Sequence, residues 1–475
     1  MGVADGGVLA RGVMTVTGAR VLGLIFSLVQ VKLAVTYLGP TGYGLLMTAT
    51  LFVNSFGAWT ELGMGNVVVR RVSGRGMDLQ RQVGLSMTVS MLIVFPMVMV
   101  ANMAARLLYA DQPLVQLGIA ILSVGLIAST WALRYAPVAQ VHSRFGHYAA
   151  ADLIGRALSL ALVGVTVAMD LGLVWFFLAQ LMVPVGQMIA MTRLGKLIGG
   201  FRPVWNRREM WDLLRETLPM TYIAAVGVLY FTIDGVMLSQ LSTTEQVGAY
   251  GMAYRIVGNF TIVSASIASV LAARFAQDAA TERAAFTTTI RSSLQAVLIV
   301  AAPLAVLVMG LAPDVIILLG SKEMAGLASG PLGLVAIGVG IGMMSAVMSA
   351  ALIADYQQRI LTILNTANLL LNITANIVLI PMYGATGAAI SLIMSETSGF
   401  VICLALLIRR YGQCLPVGTV LRLVPALAVG LATEALIDGH WGVRILLVGL
   451  AYGLGLLVFR VVALKDVRTL MKRGG

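Results

Sequence analysis

Charge is what this sequence has least of. Asp, Glu, Lys and Arg make up 11% of its 475 residues, against roughly 25% in a soluble domain, and no soluble class fits that value. Histidines number three. His142 and His147 share one short segment and His440 sits in a turn, with no HExxH spacing, nucleophile elbow or Walker-type loop anywhere in the chain. No catalytic residue is assigned. A membrane-embedded polymerase or ligase would also need a large loop to hold its acceptor, and the chain has none. Cysteines number two. Cys403 in an apolar stretch and Cys414 in a loop suggest no disulfide and have no metal-ligand spacing, so neither a metal nor a cofactor is expected.

What is present instead is apolar. The residues AVILMFWYC account for 59% of the chain and the mean hydropathy is +0.93. Apolar runs of about 20 residues, long enough to cross a hydrocarbon core of about 30 Å, recur from Thr15 onwards. They predict helices at 15–38, 42–67, 83–106, 114–137, 149–169, 172–192, 217–241, 248–272, 293–312, 329–353, 360–380, 386–408, 417–438 and 441–461. The first run is too long for a signal peptide and contains Arg20 and Lys32, so it is expected to stay as a membrane helix. The 51 glycines fit close helix contacts in lipid, where no hydrophobic effect drives one helix onto another. Pro96, Pro184, Pro303 and Pro425 fall inside predicted helices and permit kinks.

A formal charge of +12 would suit a nucleic-acid binder, but its placement argues otherwise. Of 32 basic residues, 24 fall in alternate loops and tails, from Arg11 through Arg70, Arg71, Arg75 and Arg81 to Lys472 and Arg473. The opposite side holds only Arg106, Lys322 and Arg444, and five lie inside helices. The positive-inside rule therefore places both termini in the cytoplasm and the even number of spans follows. The charge reports topology, and no nucleic acid is expected as a partner.

The longest inner segment, 193–215, lies near the middle of the chain. Asn206 there caps a short helix carrying Trp211, Leu213 and Leu214 beside Arg207, Arg208 and Arg215, a pattern suited to the membrane interface. It divides residues 1–213, a six-helix lobe with an inner linker, from residues 214–413, a second six-helix lobe. Residues 414–475 add an accessory pair and a basic tail. Two lobes that both start inside suggest parallel repeats.

Ionisable and amide side chains inside helices are costly in lipid unless they face the bundle interior or water. Asn365, Asn368, Asn372 and Asn376 fall within roughly 80° of arc on one helix. Such a stripe either glues helices together or lines a cavity. Lys32, Asp234 and Arg255 lie at comparable depth in three helices, either meeting across a cavity or with Asp234 neutralising Arg255. Arg20 with Glu61, and Asp152 with Arg156 four residues on, read first as structural pairs, with a substrate clamp as the alternative for the second. Glu396 sits mid-helix among Ser391, Ser395 and Ser398 with no cation nearby in sequence, a candidate proton or sodium site.

Tyr37-Leu38-Gly39-Pro40-Thr41-Gly42-Tyr43-Gly44 and Glu61-Leu62-Gly63-Met64-Gly65 followed by Val69-Arg70 resemble the opening of bacterial polysaccharide-repeat-unit flippases. These belong to the multidrug/oligosaccharidyl-lipid/polysaccharide exporter superfamily. Gly248-Ala249-Tyr250, Ala253-Tyr254-Arg255-Ile256 and the Asn-rich helix ending Ile380-Pro381-Met382-Tyr383-Gly384-Ala385-Thr386-Gly387-Ala388-Ala389 extend the likeness over roughly residues 15–410. The resemblance implies an all-α polytopic bundle of about fourteen spans: two six-helix lobes in pseudo-two-fold arrangement plus two accessory helices. It also implies translocation of an isoprenoid-pyrophosphate-linked oligosaccharide, for exopolysaccharide or O-antigen, across a bacterial inner membrane by alternating access, beside glycan polymerases and glycosyltransferases. The match carries Arg255, and also Glu61 and Asn372. Lys32, Asp234 and Glu396 rest on their placement.

The reading is then a lipid-linked oligosaccharide flippase. Arg255, Lys32, Asn365, Asn368, Asn372 and Asn376 would bind substrate, and Asp234, Glu396 and Glu61 would serve ion coupling. The rivals are a cation-coupled multidrug antiporter of the same fold, expected to have a carboxylate-dominated cavity, a lipid II flippase, and a non-transporting scaffold for glycan-assembly enzymes.

Overall fold

The computed structural model describes residues 4–61, 63–142, 144–200, 202–260, 274–275, 283–437 and 441–461, and within its helices it leaves out the side chains of residues 4–17, 58, 61, 145, 197, 198, 223, 259 and 441. The tail beyond 461, His440 and the second half of the predicted 248–272 span lie outside the described residues. Every long element is helical, and there is no strand among the described residues. Among the described residues, eleven helices are long and apolar enough to cross a membrane, and Gly442–Val458 is a shorter apolar helix. One of the eleven is broken. α1 (Ala4–Glu61) contains Gly39 at φ 67° followed by Pro40, so it is two arms joined at a kink. Only a residue without a Cβ takes that φ readily, and the missing amide of Pro40 suits the start of the second arm.

The chain packs as two compact units, Met1–Gln240 and Leu241–Gly475. In the first, α3 (Leu79–Leu108), α4 (Pro113–Leu133), α6 (Phe145–Ala168) and α7 (Leu173–Thr192) pack with the α1 arms, with short α2 (Met64–Arg75) and α5 (Ala136–Val141) at one end. Glycine decides how close α6 and α7 come: a Cβ on Gly155 would overlap the Val183 carbonyl, and one on Gly186 would lie 2.6 Å from the Gly155 Cα. The turn between these helices is held by Tyr37, whose hydroxyl bonds Asp170 and accepts the Gly172 amide at 3.1 Å. The first resembling motif thus begins with a residue that ties the first arm of α1 to another helical pair.

Two expectations near this end are corrected. The predicted 42–67 helix stops at Glu61, because Gly63 adopts a left-handed φ of 58° and starts α2 as a separate twelve-residue helix. Arg70, Arg71 and Arg75 therefore sit on a helix, not in a loop. Nor does the 206–215 segment form a short helix of its own. It is the start of α8 (Arg207–Leu241), 35 residues without a break, about 52 Å long and so some 20 Å more than a hydrocarbon core. Asn206 caps it as expected: its Oδ1 accepts the amides of Arg208 at 3.1 Å and Glu209 at 3.3 Å, while its Nδ2 donates to Glu209 Oε1 at 2.8 Å.

In the second unit, α9 (Thr244–Val257), α10 (Arg283–Leu319), α11 (Lys322–Ala354), α12 (Gln358–Tyr383) and α13 (Ala385–Tyr411) form the main bundle. The α12–α13 turn has Gly384 at φ 57°, and Gln246 Oε1 accepts the Ala385 amide there at 2.9 Å. α14 (Val417–Leu436) and α15 (Trp441–Val458) dock on α10 through Leu307, Leu311, Ala426, Val448 and Tyr452. The Tyr452 hydroxyl also donates to the Ile299 carbonyl at 2.9 Å.

Candidate functional site

The nine residues that the sequence singles out divide between the units. In the first, Lys32 is half-buried on α1 and Asp234 on α8 is 1% exposed. The Glu61 side chain lies outside the described residues, and Arg20, its expected partner, is exposed. Gln30, two residues before Lys32, makes a buried 2.6 Å hydrogen bond to Ser159, so α1 carries polar side chains into the interior of this unit. Asp152 accepts from Arg156 at 2.8 Å and from Gln187 at 2.8 Å. That is the local pair read from their spacing, now also joined to α7.

In the second unit, Arg255 is half-buried in the last turn of α9. The Asn stripe on α12 is one face in sequence but two environments in space. Asn365 is exposed and Asn368 half-buried. Asn372 and Asn376 are fully buried, and Asn376 Nδ2 donates to Asn372 Oδ1 at 3.0 Å. The Asn372 amide nitrogen has no hydrogen-bond partner among the described residues, an arrangement that costs about 1–3 kcal/mol for a buried donor. Asn368 packs onto Gly399 of α13 so closely that a Cβ there would lie 2.5 Å from its Nδ2. The stripe therefore faces α13. Glu396 is half-buried on α13 three residues before Gly399, and its carboxylate rests against Gly342 of α11, 2.9 Å from where a Cβ would stand. The structure thus brings Asn368 against α13 and Glu396 of α13 against α11.

Sequence reasoning missed the function of two carboxylates. Glu216 on α8 accepts from Arg71 at 3.0 Å, Arg75 at 2.8 Å and Arg70 at 3.5 Å. Burial pushes its carboxyl up, but the bonds from Arg71 and Arg75 more than offset this and hold it below the usual Glu value of 4.5. Glu209, seven residues earlier, is paired with Arg81 at 2.7 Å and is also held low, chiefly by that hydrogen bond. The spacing of seven, which puts both on one face of a helix, was the signal available in the sequence.

Long apolar helices in two bundles, with cations, carboxylates and amides carried into their interiors, define a polytopic membrane protein. Residues 9–277, more than half of the chain, match the family described as polysaccharide biosynthesis protein, and the chain belongs to that family. No curated protein matches the sequence. Solved structures are similar in fold. A lipid II flippase MurJ in an inward closed conformation aligns with a TM-score of 0.77 at 16% identity, over 94% of this chain and 98% of that one. An inward-facing multidrug resistance MATE family transporter of the MOP superfamily gives 0.66 at 16% identity, over 81% and 95%. A MOP superfamily transporter from Pyrococcus furiosus, described as having a binding pocket of reversed polarity, gives 0.60 at 15% identity, over 86% and 95%.

Proposed function

We infer that this protein translocates an isoprenoid-pyrophosphate-linked oligosaccharide from the inner to the outer leaflet of a bacterial cytoplasmic membrane by alternating access, with both termini in the cytoplasm. The observation that carries the reading is the family match, taken together with Arg255, a half-buried guanidinium on a bundle helix. A pyrophosphate dianion needs compensation along an apolar path, and a guanidinium holds its oxygens bidentately in a way no uncharged side chain can. Lys32, half-buried on α1, is the second cation in this scheme. Asn365 and Asn368 are the reachable part of the amide stripe. Asn372 and Asn376 would join only when α12 separates from its neighbours. The lobes are residues 1–213 and 214–413, and 414–475 is accessory.

Asp234, Glu396 and Glu61 are the coupling groups in this reading. An ion drives the cycle only if its affinity differs between the two conformations. Glu396 against Gly342 meets that requirement if α11 and α13 shift relative to each other, because its surroundings then change.

The test is flipping of a fluorescent polyprenyl-pyrophosphate glycan by the purified protein in vesicles. Arg255→Gln should reduce the rate at least tenfold, and Arg255→Lys should recover part of it, since the charge is kept and the fork lost. A folded Arg255→Gln protein flipping at the wild-type rate would remove Arg255 from the substrate path. Preferential movement of organic cations, with no glycan flipping, would replace the reading by drug antiport.

A further inference from the structure

The first turns of α8 have a second use beyond joining the lobes. At about 100° per residue, Glu209 and Glu216 fall on one side of the helix, where they meet the arginines of α2 and α3. Leu213 points into the core with Met64, Val67, Leu85 and Val89. Arg207, Arg208, Trp211 and Arg215 occupy the opposite arc, and all four are exposed. The Arg215 guanidinium stacks 5.1 Å above the Trp211 ring. Glu209 and Glu216 are ion-paired, and Arg207 and Arg208 have no ion-pair partner among the described residues; the remaining carboxylate of the segment is Asp212, exposed one turn beyond Arg208.

Between that arc and the flank of α3 lies a cavity of about 940 Å³, at the upper end of the roughly 300–1,000 Å³ usual for ligand clefts. Val89, Leu92, Ile93, Met210 and Leu214 give it an apolar lining. The exposed Trp205, Arg207, Arg208 and Trp211 line it as well. Trp205 is 72% exposed and Leu92 49%. The linker that brings Trp205 here is fixed: a Cβ on Gly84 of α3 would overlap the Arg202 carbonyl, and Gln80 donates to the Gly200 carbonyl at 3.3 Å. The backbone that carries Trp205 to the groove is therefore fixed against α3, and the groove combines an apolar lining with two indoles and two guanidinium groups.

We propose that this groove binds an anionic glycerophospholipid of the leaflet it faces, with its acyl chains along Val89, Leu92, Ile93, Met210 and Leu214 and its phosphate at Arg207 and Arg208. The charge chooses the occupant. Indoles alone anchor any lipid at the headgroup level, but two unneutralised guanidinium groups beside an apolar slot favour an anionic headgroup, by roughly fivefold per cation near the surface. The proposal does not depend on what is transported.

The experiment uses the full-length chain in phosphatidylcholine nanodiscs, with a tryptophan background reduced to Trp205 and Trp211. Bromine on the acyl chains of phosphatidylglycerol should quench these two indoles at a mole fraction tenfold or more below that needed for brominated phosphatidylcholine. Arg207→Gln with Arg208→Gln should remove the preference and leave the phosphatidylcholine quenching unchanged, a result that also shows the groove intact. Leu92→Phe, which fills the slot without adding an indole, should weaken quenching by both lipids. Equal quenching by the two lipids in the unaltered protein, or a preference that survives the double substitution, overturns the proposal. So does displacement of the brominated lipid by undecaprenyl phosphate at lower concentration than by phosphatidylglycerol, which would assign the groove to an isoprenoid tail.

Discussion

Two charged clusters, one in each unit, are built on opposite ratios. At the start of α8, Glu216 is shared by Arg70, Arg71 and Arg75, so cations outnumber the carboxylate three to one. Around the accessory pair, Arg444 bonds Asp314 of α10 at 2.7 Å, and Glu434 of α14 lies against Gly310 one turn away. There two carboxylates share one guanidinium. Glu434 Oε2 and Arg444 Nε are buried without hydrogen-bond partners among the described residues. The first cluster is satisfied by surplus and works as a fixed clasp between α2 and α8. The second is underfilled, so each member's removal has a different sign of effect.

The largest effect expected from breaking this contrast is at Glu216. Arg71 is only 6% exposed in its side chain, and Glu216→Gln leaves it with neutral acceptors alone, the new amide oxygen and Gln82 at 3.3 Å. Uncompensated buried charge costs about 3 kcal/mol or more. Thermal unfolding in detergent should fall accordingly, and trypsin should cut faster at Arg207 and Arg208 as the clasp opens. An unchanged melting temperature would show that the three arginines are adequately solvated.

Next in size is the accessory cluster. Arg444→Gln exposes Asp314 and Glu434 to each other without a cation and should lower stability by about 1–3 kcal/mol. Glu434→Gln should be neutral or slightly stabilising, because it removes the surplus carboxylate. Equal losses from both substitutions would mean that Glu434 is as firmly bonded as Asp314.

The smallest effect is that of mild acid on the α8 clasp. The carboxyls of Glu209 and Glu216 are depressed in the folded state, so their contribution is complete above the ordinary value of 4.5 and is lost as pH falls through the depressed ones. Tryptic cleavage at Arg207, corrected for the enzyme's own pH dependence, should not change between pH 7 and pH 5. Release in that interval would place the controlling group elsewhere.

Most of the helices were legible in the sequence, because nearly every span is an uninterrupted apolar run and lipid leaves the backbone little choice. The predicted 172–192 and 386–408 helices match Leu173–Thr192 and Ala385–Tyr411 within a few residues. The breaks were less visible. Gly63 ends one helix inside an apolar stretch, where nothing but a backbone angle marks the division, and α8 begins ten residues before its apolar run because capping and ion pairs, not hydropathy, stabilise its first turns. The polar residues were legible as a list and not as a site. The Asn periodicity of 365, 368, 372 and 376 fixed a face. What covers that face depends on Gly399 of another helix, and the sequence holds no local mark of that contact. The clasp partners Arg71 and Glu216 lie 145 positions apart, beyond the reach of any pattern along the chain.

The bond from Gln246 to the Ala385 amide has a mechanical meaning. Gln246 belongs to the helix that carries Arg255, nine residues further on, and Ala385 opens the helix that carries Glu396 and receives the amide stripe at Gly399. A tie at the turn of these helices works like the fixed end of a fork. If this unit rotates in the proposed transport cycle, the tie would make Arg255, Glu396 and the amides of the stripe travel together, and a grip on cargo would change by rotation of the whole fork, not by the retreat of one residue from another.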